Sequence, residues 1–479
     1  MRYAPRALQS RHRLLPDGHI VVTGAAGDFA FFDREEFDQF RASPQRLDLR
    51  KQADLRARFL LTDGAMPKGM QRLLASRIAA KRETVTAGPS LHIIVPTLQC
   101  AHSCQYCQVS RALNDEGHTM SLSDLNAACD TILESKSDQL TVEFQGGDPL
   151  LRFDLVKHAI LRIREGAAAN RRIRFVVAST LHQLDDAMCA FFKEHSVYMS
   201  TSLDGPRALH NVNRPTPGRN AYERTLAGIQ LAREKIGADA VAALMTTTKA
   251  SLAFPEEIVD EYVRQGFREI FLRPLSSYGF AKRNQNLLGY SVQDFLNFYR
   301  RGLDRIMYWN QRGVELREVY ASILLNKMLS TFDAGYVDLQ SPTGAGSSVL
   351  VYNYDGFVYP SDEARMLAET EDRSLRMGRI GESLDKLLNS PVRQQLVEAS
   401  DVRSMSDCRD CAYNLYCSPN PVDAQAQHGT MTIAAGATEH CQRHMALFDA
   451  MFSALRAADE DTSARMHDWA QVRGVYVDA

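Results

Sequence analysis

Between Leu91 and Arg273 the chain alternates short apolar runs with longer stretches of helical period. The runs LHIIV, LTVEF, IRFVVAS, VYMSTSL, VAALMT and EIFLR are rich in β-branched and aromatic residues and too short for helices, so they predict strands. Amphipathic segments lie between them. In residues 121–136, Leu122, Leu125, Cys129, Ile132 and Leu133 share one face, and Ser121 with Asp124 forms a capping pair. Six strand–helix units in a row predict a parallel sheet with helices outside. In such a barrel, function gathers at the carboxyl ends of the strands.

The flanking regions read differently. Near the N-terminus, HIVVTG and FAFF around AAGD predict a hairpin. Asp33 caps a helix over REEFDQFRA, and LRKQADLRARFLL and MQRLLASRIAAKRE continue as helices. Residues 291–335 predict two long helices. VLVYNYDGFVY predicts a hairpin turning at Asp355–Gly356. A last amphipathic helix carries Met445, Phe448, Phe452 and Leu455. The expected division is an N-terminal extension (1–85), a barrel (86–290), a helical bridge (291–340), a C-terminal domain (341–460) and a tail (461–479).

Composition narrows the function. The 479 residues are 45% hydrophobic and 24% charged, with 56 basic against 58 acidic side chains, so no basic surplus points to nucleic acid. No apolar run has the length to span a membrane, and the N-terminus lacks the apolar centre of a secretory signal. The expected location is a reducing cytoplasm, where clustered cysteines are ligands or catalysts rather than disulfides. Seven of the nine cysteines sit in two places.

The first place is Cys100, Cys104 and Cys107, just past the end of the first expected strand. Three soft thiolates on one loop suit an iron–sulfur cluster with an open corner, or a zinc site. Tyr106 precedes the last cysteine, FQGGDPL follows the second strand, and STSLDGP and HNVNRP follow the fourth. Together these motifs resemble the radical S-adenosylmethionine (SAM) enzymes. The resemblance implies that Cys100, Cys104 and Cys107 hold a [4Fe-4S] cluster whose open iron is chelated by SAM. It places Tyr106 beside the adenine, and Gly146, Gly147 and Asp148 at the methionine, with Asp148 standing where the family has Glu. It places Ser202 at the SAM carboxylate. Arg214 is either a second carboxylate partner or a structural ion pair, and Asp204 reads as a turn residue.

The second place, CRDCAYNLYC followed by Cys441, resembles part of the SPASM domain of peptide-modifying radical SAM enzymes. Cys408, Cys411, Cys417 and Cys441 match the complete ligand set of one auxiliary [4Fe-4S] cluster; a four-cysteine zinc ribbon is the alternative from spacing alone. A second auxiliary cluster is expected to be lost, since Pro421 and Ser361 stand where the family places cysteines. Asp362 matches the aspartate proposed as general base in sulfatase-maturing relatives; the alternative is a surface carboxylate near Arg365. Cys129 and Cys189 lie in apolar helical settings and read as core residues.

The expected fold is therefore α/β: a partial (β/α)6 TIM-like radical SAM barrel with an N-terminal α+β extension and a C-terminal SPASM-like iron–sulfur domain. EFQGGDPL, SLDGP, HNVNRP, GYVDLQSP and YNYDGFVYPSDEARM look most like the maturase of the His-Xaa-Ser peptide system. That resemblance implies hydrogen abstraction from a ribosomally made precursor peptide, with a crosslink as product. It also implies an external electron donor such as flavodoxin or ferredoxin, and a second radical SAM maturase alongside. Residues 1–85 then read either as a winged-helix-like element that binds the peptide as an edge strand or as an extension across the barrel mouth. The competing functions are a sulfatase-type formylglycine maturase and a zinc- or cluster-stabilised binding scaffold without catalysis.

Overall fold

The computed structural model describes residues 5–81, 85, 87–107, 109, 111–276 and 278–471. Five of the six apolar runs form strands as the periodicity predicts: β1 (Leu91–Thr97), β2 (Gln139–Gly146), β3 (Arg172–Ala178), β4 (Val197–Ser202) and β5 (Val241–Thr246). The sixth splits. Glu269–Ile270 leaves to pair with Arg317–Glu318, and only β6 (Leu272–Arg273) continues the barrel. Helices between the strands bury one face each; in Leu122–Leu133 that face is Leu125, Ala128, Cys129 and Ile132, capped by Ser121. Cys129 and Cys189 are fully buried core residues.

The expected C-terminal hairpin, β7 (Val349–Tyr352) and β8 (Phe357–Tyr359), turns with Gly356 at φ +80°. It is not a separate sheet. β7 pairs parallel with β1, and the order runs β6-β5-β4-β3-β2-β1-β7-β8-β9, where β9 is Gly378–Arg379. Seven parallel strands are thus followed by two antiparallel ones. The fold is α/β with a parallel-stranded sheet.

Residues 5–81 form an α+β module. Its sheet has three antiparallel strands, Ser10–Leu14, Ile20–Gly24 and Phe29–Phe32, the first of which carries no apolar pattern. Helices follow at Arg34–Ala42, Leu49–Ala57 and Lys68–Ala80. Asp33 and Glu36 close a full capping box on the first. The second ends earlier than its periodicity suggests, because Phe59 turns through φ +53° and Leu61–Asp63 leaves to pair with Pro5–Ala7.

The module docks on the C-terminal cysteine region rather than across the barrel mouth. Arg13 grips Asp449 with two hydrogen bonds, of 2.5 and 2.7 Å. Arg11 donates to the Arg409 carbonyl, Thr23 to that of Ala412, and Tyr416 to that of Gly27. Phe29 and Phe31 meet Phe452 edge-on, and Tyr413 stacks on Phe452 from the other side.

The stretch expected as a tail folds over Glu460–Ala470. Asp459 caps it, and Met466, Trp469 and Ala470 recur at helical spacing to bury against the helix Val319–Leu329. Among the described residues no helix is long and apolar enough to cross a membrane.

Phe452 is the apolar pin between the two ends of the chain. Phe452→Ala should cost about 3–5 kcal/mol and free the N-terminal module. The check is limited trypsinolysis: cleavage near Lys81 should become fast in the variant. Unchanged resistance would place the pin elsewhere.

Candidate active site

The loop after β1 carries Cys100, Cys104 and Cys107, and three distant segments fix its path. Ala112 O accepts from Cys100 N, Pro215 O from Ser103 N, and Cys107 O from Phe280 N. The end of β2 holds it from below: Gly147 N donates to Thr97 O at 2.9 Å and Asp148 N to Gln99 O at 2.7 Å. This approach requires the glycine. A Cβ on Gly147 would stand 2.2 Å from both Leu98 O and Gln99 O, and Gly146 adopts φ +131°. The glycines thus let one loop touch the other.

A cavity of about 280 Å³ opens at the carboxyl ends of the strands. It is lined by Cys100, Cys104, Cys107, Tyr106, Gly146, Gly147, Ser202, Arg214 and Asp362. Of the residues singled out in the barrel and hairpin motifs, Asp148 and Asp204 are not on its wall. The Asp148 carboxylate is buried and turned inward, accepting from Ser179 Oγ (2.7 Å), Thr180 Oγ1 (2.5 Å) and the amide of Leu150. It ties the end of β2 to the end of β3.

Asp204 is no turn residue. It is fully buried, and its Oδ2 accepts from the Tyr106 hydroxyl at 2.6 Å and from Arg214 Nε at 3.1 Å. Its Oδ1 accepts from Thr246 N on β5. The Arg214 guanidinium also lies 5.3 Å from the centre of the Tyr106 ring. Arg214 is therefore ion-paired and faces the cavity at once. Burial, with the neighbouring thiol of Cys107, pushes the Cys104 thiol up to about 12 while Arg214 opposes the rise. A bound metal reverses that penalty, since a coordinated thiol is held as thiolate.

The opposite wall is acidic. Glu143 projects from β2, Asp338 from a short turn, and Asp362 and Glu363 from the first turn of the helix Asp362–Ala368. Arg273 at the end of β6 stands among them. Arg365, itself fully buried, holds Asp362 Oδ1 at 2.6 Å. Burial raises Glu143 to about 7, helped by Asp362 and opposed by Gln145 and Arg273. Burial also raises Glu363 to about 7, with Asp338 and Asp362 adding. Glu143, Glu363, Asp338 and Arg273 escaped the motif search. The one signal for Glu143 was a charge inside the apolar strand LTVEF.

The second cysteine group surrounds another cavity, of about 430 Å³, lined by Cys408, Cys411, Cys417 and Cys441 together with His12 and Arg13 of the N-terminal module. His440 also borders it, but its Nε2 is engaged with Ser418 O. Among the described residues no three His, Cys, Asp or Glu side chains gather closely enough to hold a single ion.

Residues 94–261 match the Radical SAM superfamily. The chain carries a Radical SAM domain and is an enzyme. A Radical SAM domain implies a [4Fe-4S] cluster and SAM as cofactors. An uncharacterized protein of Methanothermobacter thermautotrophicus is 26% identical over 36% of this chain, which spans 63% of that protein's length. A serine-type anaerobic sulfatase-maturating enzyme of Klebsiella aerogenes is 24% identical over 67% of this chain and 75% of its own. Among solved structures, native anSMEcpe with bound AdoMet and the Kp18Cys peptide superposes with TM-score 0.65 at 15% identity, over 79% of this chain and all of its own. Streptococcus suis SuiB bound to precursor peptide SuiA superposes with TM-score 0.56 at 14% identity, over 92% of this chain and all of its own. At such identities the structures show the fold, with the Radical SAM domain at its centre.

Glu143 makes a pH dependence. The folded protein keeps its proton up to about pH 7, whereas an unfolded glutamate releases it near pH 4.3. Unfolding therefore releases a proton between those values, and stability falls as pH rises through that window. Relative to the parent, Glu143→Gln should gain roughly 3 kcal/mol between pH 5 and pH 8, read from urea midpoints. A difference independent of pH would contradict this placement.

Proposed function

We propose that this protein is a radical SAM maturase that modifies a ribosomally made precursor peptide by hydrogen abstraction, forming a crosslink. The observation that carries the reading is one cavity that collects the three thiols, both glycines, Tyr106, Ser202, Arg214 and Asp362 from five separate segments. The donor set fits the implied cofactors. Three thiols on one loop leave a cluster corner open.

In this reading Cys100, Cys104 and Cys107 hold the cluster. The backbone at Gly146–Gly147, the hydroxyl of Ser202 and the ring of Tyr106 hold SAM, and Arg214 faces its carboxylate. Asp148 contributes by position, through Ser179 and Thr180. When bound, the cofactor pair supplies a 5′-deoxyadenosyl radical, the agent that removes hydrogen from an unactivated carbon. A peptide radical reaches a closed-shell product by losing one electron, which an auxiliary cluster at Cys408, Cys411, Cys417 and Cys441 would accept, and one proton. Asp362, oriented by Arg365 and open to the cavity, takes the proton.

Cys408, Cys411, Cys417 and Cys441 hold one auxiliary [4Fe-4S] cluster. Their cavity, of about 430 Å³, leaves room for a cubane between them. The second auxiliary site has been rebuilt as helix ends. Ser361 caps Asp362–Ala368 by accepting from Ala364 N, and Pro421 is the first residue of Pro421–His428. The N-terminal module supports a peptide-binding role by its three strands and following helices. Its last strand is not an open edge, however: Lys51 and Arg58 occupy the Phe31 and Phe29 carbonyls. A flavodoxin- or ferredoxin-type donor supplies the reducing electron, and a second maturase acts on the same peptide.

A sulfatase-type reading, oxidising Cys or Ser to formylglycine, draws support from the likeness to the Klebsiella enzyme; the rebuilt second site speaks against it. The scaffold reading gives way to the Radical SAM domain.

Replacing Cys100, Cys104 and Cys107 together by Ala should abolish 5′-deoxyadenosine formation and leave about four irons per chain, those of the second cysteine site. Undiminished SAM cleavage would overturn the assignment. Asp362→Asn should still cleave SAM and still move deuterium from labelled peptide into 5′-deoxyadenosine, while mature product falls by roughly two orders of magnitude. Normal product yield would leave Asp362 as a partner of Arg365 only.

A further inference from the structure

Glu143 takes no part in the roles assigned above, and the protein does not satisfy it. The residue is 8% exposed; Oε1 accepts from Gln145 Nε2 at 2.8 Å, and Oε2 makes no hydrogen bond. Another residue of the same cavity, His102, is 1% exposed and has a buried Nδ1 without a partner. Folded proteins seldom leave such atoms unmet, and a ligand is one way to meet them.

The carboxylates on the wall say which kind of ligand: a cation, which draws off the protons that burial leaves on Glu143 and Glu363. Glu143, Asp338, Asp362 and Glu363 surround the cavity's inner side with Arg273 among them. The other cation of the cavity, Arg214, is committed to Asp204. Arg365 approaches Asp362 from behind and does not line the space. The carboxylates are not drawn together as a metal site would draw them. Their spread suits a larger cation that meets them one at a time.

We propose that this wall selects a peptide residue with a positively charged side chain, an amine or guanidinium, whose head is held by Glu143 and Glu363 beside the modified carbon. The inference rests on the peptide-maturase reading and deepens it by naming the substrate residue's chemistry. A hydrogen bond from a cation to a buried carboxylate is stronger than a neutral one. Losing it lowers affinity between about ten- and one-hundredfold.

The experiment uses full-length holoenzyme with both iron–sulfur sites loaded and SAM present. Two probes of near-equal shape, Nα-acetyl-lysine amide and Nα-acetyl-norleucine amide, are titrated by calorimetry under anaerobic conditions. The lysine probe should bind at least about tenfold more tightly. Glu143→Gln combined with Glu363→Gln should abolish the preference, and Glu143→Asp, which keeps the charge, should retain part of it. Circular dichroism and cluster absorbance verify that each variant is folded and loaded. Equal binding of the two probes, binding of neither, or an undiminished preference in the double variant would each overturn the proposal. Release of 5′-deoxyadenosine by the unsubstituted enzyme is read in parallel samples supplied with dithionite as the one-electron reductant. Its absence would defeat the maturase reading, whereas its presence without lysine preference would defeat only this inference.

Discussion

Asp204 receives the Tyr106 hydroxyl and the Arg214 guanidinium on one oxygen, in a position closed to solvent. The cavity depends on that contact. A buried carboxylate is tolerated only where its partners repay the lost hydration, and here the partners come from three parts of the chain. Tyr106 brings the cysteine loop, Arg214 the segment after β4, and the amide of Thr246 the end of β5. Asp148 repeats the device for β2 and β3. The thiols are thus positioned by strand ends far from them in sequence.

The local parts of this arrangement were legible in the sequence. Strand periodicity, the Ser121 and Asp33 caps and the cysteine spacings each involve residues a few positions apart. What stayed hidden depends on distant partners. Asp204 sits in SLDGP, where a turn is the natural reading; its burial follows from Tyr106, 98 positions away. Asp148 looked like a ligand, but Ser179 and Thr180 use its oxygens. The strand Ser10–Leu14 reads SRHRL and shows no apolar alternation; Arg13 finds its carboxylate 436 positions later. EIFLR divided because Glu269–Ile270 found a better partner in Arg317–Glu318, an element with no pattern of its own.

Ser361 and Pro421 each begin a helix. Serine at a helix N-cap and proline at the first helical position are both favoured for backbone reasons. The helix begun by Ser361 is also the one that turns Asp362 and Glu363 toward the cavity.

The parallel pairing of β1 with β7 has a consequence for synthesis. During translation β1 gains β2 on one side soon after it emerges, but its other edge stays bare until Val349–Tyr352 has been made. Such an edge is a template for wrong pairing with other chains. The N-terminal module waits longer still, since its contacts at Asp449 and Phe452 belong to nearly the last helix. The module must therefore find the helix that carries Asp449 and Phe452 before the second cysteine group is enclosed. Until then the thiols of Cys408, Cys411, Cys417 and Cys441 stay open to solvent.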